Sequence, residues 1–144
     1  MTAVTISQIK ATLHKIITVI ERFDATVIAV YLFGSSARQN AKETSDLDLA
    51  FLIDPESYKK EPLEAIAPAY LAATRLGMTL NKETDVTILN ASSIEMTHEV
   101  VTTGIRLYDS DAERRVEYEI AAKGMYYDFK PFLEKLRHES IADL

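Results

Sequence analysis

The first third of the chain combines one helical and two strand-like hydrophobic patterns. Apolar residues recur every three or four positions between residues 6 and 23, which predicts an amphipathic helix. VIAVYLF at residues 27–33 is a β-branched and aromatic run that a glycine ends, and it predicts a buried strand. After the turn GSSAR and a short helix that we expect behind it, LDLAFLI at residues 47–53 predicts a second strand.

The middle of the chain predicts a third helix after a short polar linker, DPESYKKEP at residues 54–62. Pro62 can occupy the first helical turn, and Gly77 suits the carboxyl-terminal cap. The apolar face of this helix would consist of Leu63, Ile66, Ala67, Tyr70 and Leu71.

The last part of the chain predicts two more strands and two more helical regions. DVTIL at residues 85–89 and IRLY at residues 105–108 read as strands. Between them, Ser92 and Glu95 form a capping-box pattern for a helix that Gly104 would end. The pattern is helical again from residue 111 onward, and Gly124 and Pro131 should kink or divide that helix.

This alternation of helices and short strands predicts the α/β fold class, with about four strands and helices mainly on one side of the sheet. A chain of 144 residues can bury one core, so we expect one domain covering residues 1–144.

Composition and charge narrow the possible functions. A hydrophobic fraction of 47% with a net charge of −6 indicates a globular protein and argues against direct nucleic-acid binding. The absence of cysteine excludes disulfides and thiolate chemistry. No run approaches the roughly 18 apolar residues of a membrane span, so we expect a cytoplasmic protein without membrane contact.

Asp46 and Asp48 place two carboxylates at an otherwise apolar strand. Residues two apart on a strand share a face, so these aspartates would face a cleft while Leu47, Leu49, Phe51 and Ile53 face the core. Two carboxylates roughly 7 Å apart repel each other unless a cation lies between them. Mg²⁺ commonly binds one or two carboxylates together with substrate phosphates.

The GSSAR turn predicts an anion site facing those carboxylates. Gly34 allows close approach to the backbone, and the start of a following helix favours an anion. Ser35 and Ser36 add hydroxyl donors, and Arg38 adds a planar cation that suits phosphate. A phosphate site opposite a carboxylate pair predicts a metal-nucleotide complex.

A third carboxylate is needed if the reaction is phosphoryl or nucleotidyl transfer, because such sites hold metal ions and accept a proton from the attacking hydroxyl. Asp85 at the start of the third predicted strand is the best candidate, and Glu83 is the reserve. Taken alone, the Gly-Ser turn is a common connection, and the two aspartates could protect a strand edge. Their joint spacing favours the nucleotide site.

The motif Gly34-Ser35, ten intervening residues and Asp46-Leu47-Asp48 resembles the signature of the nucleotidyltransferase superfamily with the DNA polymerase β-like fold. The short chain, the GSxAR form and the tail from residue 104 are similar to minimal nucleotidyltransferases, the MntA-type antitoxins that pair with HEPN-domain ribonuclease toxins. This resemblance implies a small mixed sheet and a carboxyl-terminal helix.

The resemblance also implies a reaction and its residues. Asp46, Asp48 and Asp85 would be the catalytic acids and bind two Mg²⁺ ions, while Gly34 and Ser35 would hold the triphosphate of ATP. AMP would be transferred to a tyrosine of the HEPN toxin in a hetero-oligomeric complex, which would neutralise the toxin. Many relatives carry glycine where this chain has Gln39, so the loop conformation departs from the family pattern.

Two alternatives remain open at this point. The chain could be a non-catalytic antitoxin that binds and occludes its toxin. It could also be a small-molecule nucleotidyltransferase of the aminoglycoside-modifying type, although that activity would normally need an added helical domain or a dimer.

Overall fold

The computed structural model of the chain describes residues 4–21, 26–34, 37 and 46–142. Within these ranges it contains five α-helices and four β-strands. They are α1 (Ile6–Ile20), β1 (Val27–Phe33), β2 (Leu47–Ile53), α2 (Pro55–Lys60), α3 (Pro62–Leu80), β3 (Thr84–Ile88), α4 (Ile94–Thr103), β4 (Ile105–Asp109) and α5 (Ala112–Ala142). A short 3-10 helix, Leu89–Ala91, precedes α4. The short helix expected after GSSAR lies outside the described residues.

The four strands form one mixed sheet in the order β3-β2-β1-β4. β1 pairs antiparallel with both β2 and β4, whereas β2 pairs parallel with β3. The parallel pair is possible because α2 and α3 carry the chain back across the sheet between its two strands. The predicted α/β fold with a four-stranded mixed sheet and a carboxyl-terminal helix is confirmed.

Both faces of β2 are covered by helices. Leu47, Leu49, Phe51 and Ile53 pack in one cluster with buried residues of α1 and α3. Ala50 and Leu52 pack on the opposite face with Val100 of α4 and Tyr118 of α5. The helices α1 and α3 therefore lie on one side of the sheet, and α4 with the beginning of α5 covers the other. This double burial explains why the strand sequences are almost continuously apolar.

The first helix is shorter than the predicted range of residues 6–23. A capping box between Thr5 and Gln8 begins α1, and Glu21 caps its carboxyl end. The carboxylate of Glu21 accepts hydrogen bonds from the backbone N–H groups of Thr26 and Val27, at 3.0 and 2.8 Å. These bonds join the end of the helix to the start of β1. The side chain of Glu21, which the prediction placed inside the helix, therefore stabilises the connection between α1 and β1.

The predicted apolar face of the third helix is wrong. Leu63, Tyr70 and Leu71 are 81%, 49% and 43% exposed. The buried face consists of small residues and one leucine, namely Ala65, Ala69, Ala72, Ala73, Leu76 and Gly77. Small side chains let α3 lie close to the sheet and to α1. The sequence prediction gave most weight to large apolar side chains, and it therefore chose the outer face of the helix.

Gly77 is not the cap of this helix. It is buried inside α3, which continues to Leu80 and ends at Asn81 in the left-handed conformation, with φ of 54°. A Cβ atom at residue 77 would lie 2.5 Å from the carbonyl oxygen of Lys82. The glycine is therefore required by the close return of the chain toward β3.

Two shorter segments also differ from their predictions. The polar stretch at residues 54–62, predicted as a linker, contains α2, which Asp54 caps through the backbone N–H of Ser57. The helix α4 is capped by Ser93, whose hydroxyl accepts from the N–H of Met96, and not by Ser92. Gly104 ends α4 as predicted.

The last helix is continuous through Gly124 and Pro131, where we predicted a kink or division. Contacts with α4 on both sides of Pro131 support this part of the helix. The ring of Tyr126 stacks on that of His98 with centroids 3.7 Å apart, and Arg137 donates to Glu95 at 2.7 Å. His98 is therefore half-buried in a contact between the two helices.

None of the helices in the described part of the chain combines the length and the apolar character that crossing a bilayer requires.

Alanine at two helical glycines should change stability in opposite directions. Gly77→Ala should destabilise the fold by about 1–3 kcal/mol, because the new methyl group overlaps the backbone at Lys82. Gly124→Ala should stabilise it by about 0.5–1 kcal/mol, because the methyl group meets nothing within 4 Å and glycine disfavours a helix. Urea unfolding of both variants beside the wild type tests this pair; a shift of both midpoints in one direction would contradict it.

Candidate functional site

The site begins where β1 ends in Gly34, whose φ of 73° lies in the left-handed region that favours glycine. A Cβ atom built on Gly34 would lie 2.6 Å from Oδ2 of Asp48. Any side chain here would therefore displace the carboxylate. The glycine has two functions, which are to turn the chain and to let the backbone lie against Asp48.

The strand register brings two of the predicted acids together. In the sheet, Asp48 of β2 is paired with Phe33 of β1 on one side and with Asp85 of β3 on the other. Neighbouring strands lie about 4.8 Å apart, so two paired aspartates of parallel strands are adjacent on one face. Asp46 immediately precedes β2 and is exposed. It stands two residues before Asp48, the spacing at which side chains of an extended chain share a face.

Glu83, the reserve candidate, lies just before β3. Its carbonyl oxygen accepts a hydrogen bond from the N–H of Leu47 at 2.9 Å, and the residue is exposed. Its backbone therefore helps to align β2 with β3. Asp85, with its Cα directly paired with that of Asp48, is the better placed of the two.

The electrostatics of the three acids are unfavourable in the free protein. Burial and the negative charges of Asp85 and Asp46 raise the pKa of Asp48 above its ordinary value. The shift arises because the ionised form loses hydration and faces two like charges. A cation at this edge of the sheet would relieve both effects.

The donor set fits a hard divalent cation such as Mg²⁺. Carboxylate oxygens are its preferred protein ligands, and it commonly retains waters and binds substrate phosphates rather than a closed protein cage. Among the described residues, which include all three acids, no group of three or more His, Asp or Glu side chains forms a ready-made metal cluster. Asp46, Asp48 and Asp85 would hold the ion.

The predicted phosphate cradle is only partly described. Gly34 and Ala37 are joined by a turn in which the N–H of Ala37 donates to the carbonyl of Gly34 at 3.2 Å. Ser35, Ser36, Arg38 and Gln39 lie outside the described residues. Their roles toward phosphate therefore stay predictions.

A buried polar network on the same face of the sheet was missed by the sequence reasoning. Tyr31, two residues before Phe33 and hence on the side of Asp48, donates to Glu119 of α5 at 2.7 Å. Arg115 donates to Glu119 at 2.8 Å and to Asp109 at 2.7 Å. The spacing of Arg115 and Glu119 by four residues on a helix was the available signal.

The network holds α5 against the sheet. Burial and the hydrogen bond to Glu119 raise the pKa of Tyr31, so its hydroxyl stays protonated. Burial opposes the charge of Arg115, but its bonds to Glu119 and Asp109 outweigh this effect and raise the pKa of the guanidinium. The arginine is therefore a permanent cation shared by two carboxylates.

Comparison with known proteins agrees with this geometry. The family model described as "Polymerase beta, Nucleotidyltransferase" matches residues 14–113, which include Gly34 and all three acids. No curated protein has a sequence that matches this chain at a significant level.

Solved structures share the fold at low sequence identity. A toxin-antitoxin with AMP-PNP has a TM-score of 0.65 at 18% identity, over 92% of this chain and 98% of that one. An MNT antitoxin in complex with a tri-AMPylated HEPN toxin of Shewanella oneidensis has a TM-score of 0.61 at 19% identity, with the same two coverages. A protein described as a minimal nucleotidyltransferase has a TM-score of 0.54 at 19% identity, over 73% of this chain and 98% of its own.

The paired aspartates of β2 and β3, the glycine turn against them and the family match over residues 14–113 lead to one conclusion. The chain belongs to the polymerase β-type nucleotidyltransferase family.

Proposed function

We propose that the chain is the antitoxin of a HEPN toxin pair and neutralises its toxin by adenylylation. In this proposal it transfers AMP from ATP to a tyrosine of the toxin in a Mg²⁺-dependent reaction. All 144 residues act as one minimal nucleotidyltransferase domain, which works in the cytoplasm within a hetero-oligomeric complex.

The observation that carries the proposal is the pairing of Asp48 with Asp85 beside the backbone of Gly34. Two adjacent carboxylates with a raised pKa at Asp48 are costly unless they bind a cation. Gly34 next to them is half-buried and has no side chain, which lets an anion approach close to the backbone. The carboxylate pair and the glycine turn together suit a nucleotide triphosphate with its metal better than either of them suits a structural role.

In the proposed reaction the phenol oxygen of the acceptor tyrosine attacks the α-phosphorus of ATP. A new O–P bond forms, the bond between the α-phosphorus and its bridging oxygen breaks, and pyrophosphate leaves with the electron pair. Asp85 accepts the phenol proton as general base. Asp46 and Asp48 hold the metal. The phosphates are bound by the turn residues Gly34, Ser35, Ser36 and Arg38. Bound Mg²⁺ would offset negative charge on the α-phosphate and on the leaving group.

The similar structures support the choice of nucleotide and acceptor. One relative was solved with AMP-PNP, an analogue of ATP, and another in complex with a HEPN toxin that carries AMP groups. A cavity lined in part by Met78, Glu83 and Thr84 lies at the start of β3, next to Asp85 in the chain. The support for a protein acceptor therefore comes from the complex with the AMPylated toxin, and a small-molecule acceptor stays the alternative.

The experiment is an intact-mass measurement of the HEPN-domain protein encoded beside this chain, after incubation with the chain, ATP and Mg²⁺. The expected result is a mass increase of one or more AMP units. Sequencing of peptide fragments should locate the AMP on a tyrosine. The matched control is the Asp46→Asn/Asp48→Asn variant, which should form the same complex and transfer nothing.

The remaining outcomes separate the alternatives. A stable complex without any mass gain would favour an antitoxin that acts by occlusion. Neither a complex nor a mass gain would direct the search to small-molecule acceptors. Full activity of Asp85→Ala, with Asp46 and Asp48 intact, would move the general base to Glu83.

A further inference from the structure

The last helix lies almost wholly beyond the part of the chain that the family model matches. The family match ends at residue 113, whereas α5 runs from Ala112 to Ala142 and contains 31 residues. The minimal nucleotidyltransferase of similar structure covers only 73% of this chain, while the antitoxins solved with toxins cover 92%. The difference between these two covered parts of the chain is about as long as α5.

One outer side of α5 carries a regular apolar stripe. Met125, Phe129, Phe132 and Leu136 follow one another at spacings of four, three and four residues, which places them on one side of a helix. Their exposed fractions are 49%, 45%, 57% and 46%. Two phenylalanines at half exposure form a surface of the kind that aromatic anchors provide at interfaces.

A second outer side is apolar as well. Val116, Ile120 and Tyr127 recur at four and seven residues and are 41%, 66% and 64% exposed. Gly124 lies beside them, and a Cβ atom there would meet nothing within 4 Å. This fold therefore gives no packing reason for a glycine in mid-helix, although a partner backbone approaching closely would.

The third side of α5 holds it to its own domain. Tyr126 stacks on His98 and Arg137 bonds Glu95 on this side. Tyr118, seven residues before Met125, instead continues the first stripe into the core of the sheet face. Its own domain therefore leaves the residues of both stripes exposed. The two outer stripes are thus positioned for a partner that surrounds α5.

The exposed apolar area is large enough for a stable interface. With about 150–250 Å² for each large side chain, the seven residues of the two stripes expose roughly 700 Å². A standard protein–protein interface buries about 800 Å² on each partner. Most of one side of such an interface is therefore present on this helix alone.

The charges of α5 and of the whole chain decide which kind of partner suits the two outer stripes. Helices that bind anionic membranes have an excess of lysine and arginine, whereas α5 carries six acidic and six basic residues in a chain of net charge −6. A second copy would bring the same −6 against itself. A different protein with an apolar groove meets neither objection.

We propose that α5 is the docking element for the HEPN toxin, with its two outer stripes inserted into an apolar groove between toxin helices. The inference rests on the proposed function for the identity of the partner. It assigns binding to α5 and leaves the chemistry to the acids at the edge of the sheet.

The test compares two matched double variants. Phe129→Glu/Phe132→Glu changes α5, and Leu63→Glu/Met78→Glu makes the same change at residues of α3 that are 81% and 78% exposed. Affinity for the purified HEPN protein is measured by calorimetry without ATP. The α5 variant should bind at least roughly 100-fold more weakly, as expected for buried aromatic anchors, and the α3 variant should bind like the wild type.

A second measurement needs no substitution. Amide hydrogen exchange of the wild-type chain, with and without the HEPN protein, should show new protection in residues 116–136. The Asp46→Asn/Asp48→Asn variant should show the same protection, because it is altered only at the catalytic edge.

The outcomes are separable from those of the proposed function. Wild-type affinity of the α5 variant, or no new protection in α5, would overturn the docking site while leaving AMP transfer intact. Tight binding through α5 without any AMP transfer would support docking and reject the adenylylation. A wild-type dimer that the α5 variant converts to a monomer, with toxin affinity unchanged, would identify a second copy as the occupant and overturn the inference.

Discussion

Replacement of Asp48 by asparagine is expected to lower nucleotidyl transfer by at least about 100-fold and to raise the thermal stability of the chain. The loss of activity follows from the position of Asp48 between Gly34 and Asp85, where its carboxylate would bind the metal. Metal stabilisation of transition-state charge is worth several kcal/mol, and each ~1.4 kcal/mol is a factor of ten in rate.

The gain in stability follows from the raised pKa of Asp48. Burial, Asp85 and Asp46 disfavour its charged form in the folded protein, so the folded state binds this proton more tightly than the unfolded state. The carboxylate is therefore destabilising above its folded pKa, and this cost disappears as the pH falls toward its unfolded pKa. Asparagine removes the cost at neutral pH, and a chain of this size gains roughly 2–4 °C in Tm per kcal/mol.

Thermal unfolding between pH 4 and 8, with and without Mg²⁺, measures both parts of this prediction. The variant should melt above the wild type at pH 7, and the difference should shrink at low pH. Added Mg²⁺ should raise the Tm of the wild type more than that of the variant, because ligand binding to the folded state stabilises it. A variant that melts below the wild type at pH 7 would contradict the electrostatic account.

Arg115→Ala is expected to destabilise the fold by about 3–5 kcal/mol, which is the usual cost of removing one partner from a buried ion pair. Arg115 is 8% exposed and donates to both Asp109 and Glu119. Its loss removes the cation beside Glu119 and leaves Asp109 with the longer contact to Nε of Arg106, at 3.9 Å. Oδ1 of Asp109 is already buried without a hydrogen-bond partner, so little compensation is available.

Arg114→Ala is the matched control for this prediction. Arg114 pairs with Asp54, but its side chain is 44% exposed, and surface ion pairs contribute roughly 0–1 kcal/mol. Urea unfolding of the two variants should therefore differ by several-fold in the change of free energy. Similar small changes in both would show that the Arg115 network is not what holds α5 to the sheet.

The strands and acids of this protein could be predicted from the sequence because both depend on local pattern. β1 and β2 have the predicted bounds, and the two-residue spacing of Asp46 and Asp48 sets their common face. The register that pairs Asp85 with Asp48 could be anticipated only as a possibility, since strand order depends on tertiary packing.

The packing of the long helices could not be predicted from periodicity. In α3 the alanines and Gly77 face the core because the helix lies close to its neighbours, and the larger Leu63 and Tyr70 face outward. In α5 the contacts with α4 keep the helix continuous through Pro131, against its local tendency to break it. In both cases tertiary contacts outweigh local propensity.

The parallel pairing of β2 with β3 affects when the site forms during folding. The crossover through α2 and α3 separates Asp48 from Asp85 in the chain, and the entropy of closing that loop must be paid before the two strands can pair. The repulsive carboxylates therefore meet only after the surrounding hydrophobic contacts can hold them. We expect this edge of the sheet to form late in folding.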